Sequence, residues 1–83
     1  MKIQYLTWLY EKTGKHEDYI DLPEDVKSID DLIAYLEKER PECRTIFQNR
    51  HVIYTAVNDE IKQPDYPISN QDRISFFSAV VGG

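Results

Sequence analysis

The residues with the plainest chemical potential are the last two. The sequence closes "FFSAVVGG", so an aromatic pair and a short hydrophobic run lead to Gly82 and Gly83, with a carboxylate on Gly83. Glycine makes up about 7% of average composition, so an accidental terminal pair is expected in roughly one chain in 200. Fully extended, Ala79 to Gly83 reach about 17 Å, enough to carry a carboxylate into a buried site on another protein while the folded body stays outside. Glycines keep such a thread narrow and let two backbones approach closely. A carboxylate is a poor acyl group until it carries a good leaving group. Adenylation by ATP supplies one, after which a sulfur nucleophile can attack the carbonyl. On this reading the chemistry belongs to partner enzymes, and the chain contributes a tethered acyl group at high effective concentration.

No other group competes as a reaction centre. His16 and His51 are the only histidines, and neither is spaced with acids or with Cys43, the single cysteine, as a zinc site requires. No Ser-His-Asp or Cys-His arrangement and no Gly-rich phosphate loop is present, and the carboxylates are spread along the chain. Cys43 has no evident activating neighbour and reads as a bystander thiol. The net charge is -5 and the basic residues are scattered, which argues against a nucleic-acid partner. No run approaches the roughly 20 apolar residues of a membrane span, and "MKIQYLTWLYEK" does not read as a secretory leader. With one thiol and no disulfide framework, the expected location is the cytoplasm.

Eighty-three residues fit one domain, which at this length buries only about 60% of the surface its unfolded chain exposes. The opening alternates, with Ile3, Tyr5, Thr7 and Leu9 on one side and Gln4, Leu6, Trp8 and Tyr10 on the other, and predicts a strand from about Lys2 to Tyr10. Thr13-Gly14-Lys15 supplies a turn, and "EDYIDL" returns as a second strand. In "SIDDLIAYLEKERPE", Ile29, Leu32, Ile33 and Leu36 form one helical stripe. Ser28 is the expected N-cap with Asp31 in the Ser-x-x-acidic position, and Pro41 disfavours helix at Arg40. A polar stretch through "QNRH" leads to the strand "VIYTAV", the turn Asn58-Asp59 and a short strand "EIK". "QPDYPIS" crosses the surface, and "DRISFFSAV" is the last strand.

One helix between two pairs of strands packs its stripe across one face of a mixed sheet. This α+β arrangement is the β-grasp plan, expected over residues 1–78, with 79–83 an extended tail. A sheet covered on one side should be polar on the other, and this one is not. If Ile3, Tyr5, Ile74 and Phe76 face the helix, Leu6, Trp8 and Phe77 point away and form part of a protein-docking patch.

The stretch "YTAVNDEI…DYPISNQDRISFF…VVGG" resembles the small subunit of molybdopterin synthase, a ubiquitin-like β-grasp sulfur carrier, and the resemblance runs over essentially the whole chain. It implies that a ubiquitin-activating-type enzyme adenylates the Gly83 carboxylate, consuming ATP, and that the adenylate becomes a thiocarboxylate. The carrier itself binds no cofactor. In a heterotetramer with the large synthase subunit, the sulfur would pass to cyclic pyranopterin monophosphate. Gly82 would be the narrow neck, and Leu6, Trp8, Phe76, Phe77, Val80 and Val81 the partner-binding residues. Ser78-Ala79 departs from the Pro-Pro common in that family, which implies a more mobile tail. "SNQD" lacks the glycine often found in its turn, and Asn70 is expected to take the left-handed geometry instead. Thiamin-pathway sulfur carriers, and ubiquitin-like modifiers that thiolate transfer RNA or are conjugated to lysines, share the tail chemistry.

Overall fold

The computed structural model describes residues 1–80. Five strands form one mixed sheet in the order β2-β1-β5-β3-β4, where β1 is Lys2–Tyr5, β2 Glu17–Tyr19, β3 Ile53–Val57, β4 Glu60–Lys62 and β5 Arg73–Ser78. The central pair, β1 and β5, is parallel, with Ile3 opposite Ile74 and Tyr5 opposite Phe76, and every other pairing is antiparallel. The main helix, α2 (Ile29–Glu39), is amphipathic, and its stripe Ile29, Leu32, Ile33 and Leu36 is buried. These residues share one core with Ile3, Tyr5, Ile74 and Phe76 from the covered sheet face. The β-grasp expectation holds.

Capping explains where α2 begins. The Ser28 hydroxyl oxygen accepts from the Asp31 amide at 3.1 Å, and the Asp31 carboxylate accepts from the Lys27 amide at 3.0 Å. The first bond satisfies an amide that the first helical turn leaves without a carbonyl partner, and the second ties down the residue before the N-cap. Replacing Ser28 with Ala is expected to lower unfolding free energy by about 1 kcal/mol, read as a shift in urea midpoint at unchanged slope. At the other end Arg40 sits at φ -128° and ψ 84°, the extended conformation that Pro41 imposes on its predecessor.

The opening strand is shorter than its alternation predicts. It stops at Tyr5, Thr7 takes a positive φ of 55°, and Leu9–Thr13 forms a short helix, α1. Leu9 and Thr13, four residues apart, are its buried positions, so helical period wins over strand period here. Gly14, expected in a turn, is the α1 C-cap at φ 80°, and its amide donates to the Tyr10 carbonyl. The polar stretch before β3 also hides structure. Residues Pro41–Cys43 make a 3₁₀ turn that leads into α3 (Arg44–Phe47), which buries Ile46 and Phe47. The Phe47 ring meets Phe76 edge-on at 5.1 Å, closing the core beside α2.

Asn58 and Asp59, at φ 51° and 72°, make the tight β3–β4 turn, a geometry with both central residues left-handed that suits twisted hairpins. Asn70, in contrast, does not take positive φ. Its side-chain oxygen accepts from the Leu22 amide at 3.0 Å, so it ties two loops together where a left-handed turn was expected.

An ion cluster locks β2 to the end of α2. The Asp18 carboxylate accepts from Arg40 Nε at 2.9 Å and lies 3.3 Å from Lys15 Nζ, which also reaches Glu42 at 2.8 Å. Burial pushes the Asp18 carboxyl upward, but the Arg40 guanidinium and the Lys15 ammonium outweigh it and hold it below its usual value of 3.8. The stabilisation this gives is complete above that value and is lost as pH falls through the lower, folded-state one. Asp18→Asn should therefore flatten the acid side of the stability profile below about pH 4. Parallel profiles for the two chains would show that the cluster contributes nothing.

Candidate interaction face and tail root

The sheet face opposite α2 carries the residues that the register places together. Tyr54 is opposite Phe77, and Ala56 is opposite Ile61 on one side and Ser75 on the other. Tyr54 and Phe77 meet edge-on with ring centroids 5.7 Å apart. No helix covers this side, and Tyr54 is 45% exposed, Ile61 59% and Leu6 42%. The result is an apolar band at the centre of a solvated face. Arg73 and Asp59, 2.6 Å apart, supply charge at the far end of β5. An exposed apolar strip with aromatic anchors and a charged margin is the anatomy of a protein-docking surface.

Two residues expected in the docking patch lie elsewhere. Phe76 is fully buried, stacked near Tyr5 and packed on Phe47, so it supports the core and presents nothing to a partner. The FF pair splits because neighbouring strand residues face opposite ways. Trp8 is not on the sheet, because the chain turns at Thr7. Its half-buried ring packs against the core at the start of α1, and its indole N–H donates to the Val80 carbonyl at 2.9 Å. Leu6 and Phe77 remain on the open face, and Tyr54 and Ile61 join them. Pairing register identifies these last two, and register depends on the β3–β4 turn more than on local composition.

The root of the tail leaves from the end of β5. The Ala79 amide donates to the Val52 carbonyl at 2.8 Å, extending the β3–β5 ladder past Ser78. Val80 is 47% exposed and lies next to the docking band along the chain. Val81, expected to bind a partner, Gly82, the expected neck, and Gly83, the expected reactive end, lie outside the described residues.

Among the described residues no group of three His, Cys, Asp or Glu side chains could hold a metal ion. His16 is exposed and stacks on Tyr10 at 4.2 Å. Cys43 is buried with its sulfur 3.3 Å from the Tyr5 hydroxyl, and burial pushes its thiol upward, away from the reactive thiolate. No helix among the described residues is long and apolar enough to cross a membrane.

Residues 3–83 match the ThiS family. The chain belongs to that family. No curated protein matches it closely enough to add to this. Its fold is similar to SAMP1 from Haloferax volcanii, with a TM-score of 0.77 at 20% identity over 100% of this chain and 98% of that one. A second structure, of H. volcanii small archaeal modifier protein 1, superposes with a TM-score of 0.79 at 19% identity, covering 96% and 97% of the two chains. A Pyrococcus furiosus protein assigned as molybdopterin converting factor subunit 1 gives 0.75 at 23% identity over 95% of each chain. At these identities the structural likeness establishes the fold, the ubiquitin-like β-grasp, and the ThiS family match places it among the ubiquitin-like sulfur carriers.

Proposed function

We propose that this ThiS-family chain is the sulfur carrier of molybdenum cofactor biosynthesis, acting as the small subunit of molybdopterin synthase. The observation that carries the reading is the placement of the tail root. It leaves from β5, the same strand that presents Phe77 on the open face, so one partner can grip the body and receive the tail together. The family match extends through Gly82 and Gly83, and the likeness to the molybdopterin converting factor subunit adds support for this pathway.

In this reading a ubiquitin-activating-type enzyme transfers AMP from ATP to the Gly83 carboxylate, releasing pyrophosphate. A sulfur nucleophile at the sulfide oxidation level then attacks the carbonyl, forming the C–S bond as the acyl C–O bond to AMP breaks, and leaves a thiocarboxylate with AMP released. The large synthase subunit receives this end and supplies the pterin-facing residues, and two copies of each subunit make a heterotetramer. The carrier holds no cofactor of its own, because its role is to bring sulfur at high effective concentration. The cytoplasm is where these partners would meet it.

Intact mass spectrometry of the chain purified from cells holding its activating enzyme tests this. An oxygen-to-sulfur mass increase located on Gly83, together with co-purification of a larger subunit, is the expected result. The structural likeness to small archaeal modifier protein 1 favours a second reading, a ubiquitin-like modifier. An isopeptide-linked ladder on lysines would establish that reading instead, and sulfur on Gly83 without a large subunit would shift the pathway to thiamin.

A further inference from the structure

Resting on the carrier reading, we propose that Trp8 and Ser78 are positioning residues: they form a hydrogen-bonded clamp that fixes the direction in which the tail leaves the sheet. Five contacts converge on Ser78, Ala79 and Val80. The Trp8 indole N–H donates to the Val80 carbonyl at 2.9 Å. The Ser78 hydroxyl accepts from the Val80 amide at 3.1 Å and donates to the Val80 carbonyl at 3.0 Å, so Val80 is held at both of its backbone polar groups. One residue earlier, the Ala79 amide bonds the Val52 carbonyl at 2.8 Å. On the other edge of β5 the Ser78 amide reaches Thr7 Oγ1 at 3.4 Å.

All of these bonds except the one from Trp8 use an amide or hydroxyl that a proline at 78 or 79 would lack. Proline has no amide hydrogen and no hydroxyl, and it stiffens a chain by fixing φ within a ring. Here the same stiffening comes from partners in space. The Ser78-Ala79 pair, expected to leave a looser tail, is anchored through Val80 by neighbours distant in sequence. The turn at Thr7 and the helix that follows it are what bring Trp8 to this position. That turn lifts the Trp8 indole off the line of β1 and over the end of β5, beside a cleft of about 330 Å³ bounded by Ile46, Val52 and Val80. A clamped root lowers the ordering cost of threading the tail into an enzyme, which appears in affinity and not in the chemical step.

The test has two arms on the full chain. In the first, proton exchange of the Trp8 indole N–H with water is followed by NMR and compared with a chain lacking 80–83. The clamp predicts slower exchange in the full chain, by about threefold or more. Equal rates overturn it. In the second, adenylation by the activating enzyme is measured for Trp8→Phe, which keeps an aromatic ring and loses the donor, and for Ser78→Ala at the partly exposed root. Each should raise KM for the carrier by about three- to tenfold with kcat unchanged. An unchanged or lowered KM in both folded variants overturns the positioning role. If the native chain is not adenylated at all, the carrier reading fails, while the NMR arm still decides whether the clamp exists.

Discussion

Removing Gly83 is expected to leave the melting curve of the chain unchanged and, on the function proposed above, to abolish its acquisition of sulfur. The two halves of this result have separate causes. Among the described residues the buried core lies between Ile3 and Phe76 and the sheet ladder runs as far as Ala79, and loss of a terminal residue ordinarily costs a domain little stability. Chemically, however, loss of one residue moves the carboxylate back by about 3.3–3.6 Å and replaces the end group of the thread. Reacting atoms must come within about 3–3.5 Å and in line, so a shortfall of one residue is enough to stop transfer. Calorimetry beside single-turnover thiocarboxylation separates the two. Retained sulfur transfer by the shortened chain would end the mechanism proposed above.

Phe76→Ala is expected to lose about 3–5 kcal/mol of stability, whereas its neighbour Phe77→Ala keeps its fold and loses partner affinity. Phe76 is fully buried between Tyr5 and Phe47, and truncation leaves a cavity at the centre of the core. A chain of this length has about 4–12 kcal/mol in total, so this one change removes between about a quarter and all of it. Phe77 is half-buried and touches Tyr54 on the open face, outside the core that holds Phe76, so removing its ring leaves no cavity at the centre of the core. If that face docks, its loss weakens binding by about tenfold or more in a titration against the activating enzyme or the large subunit. Urea denaturation and a binding isotherm on the two variants give opposite patterns. A stable Phe76→Ala chain would mean that the core closes elsewhere, and unaltered binding by Phe77→Ala would remove the open face from consideration.

What could be read in the residues was whatever repeats locally. The α2 stripe, its Ser28 cap and the alternation in β5 are short-range patterns, and each corresponds to an element of the structure. From them the sheet-and-helix plan follows, as does the placing of Phe77 on the face away from the helix. The segment from Leu6 to Thr13 misled because its apolar residues fit a two-residue period as well as a helical one, and only the left-handed Thr7 decides between them. Ile46 and Phe47 were hidden by polar neighbours, since a short helix shows too few turns to display a stripe. The Trp8–Val80 contact joins residues far apart in sequence, and no local pattern announces such a bond. Tyr54 and Ile61 became partners of Phe77 through register, which the fold sets.

The parallel pairing of β1 with β5 has a mechanical consequence. An enzyme that grips the tail and pulls transmits the load straight into β5, the middle strand of the sheet, bonded to β1 on one edge and β3 on the other. Force along that strand strains both ladders at once, in shear, where a load on β2 or β4 would peel one edge bond after another. The carrier can therefore be drawn hard against a channel mouth, or withdrawn from it, with its body intact.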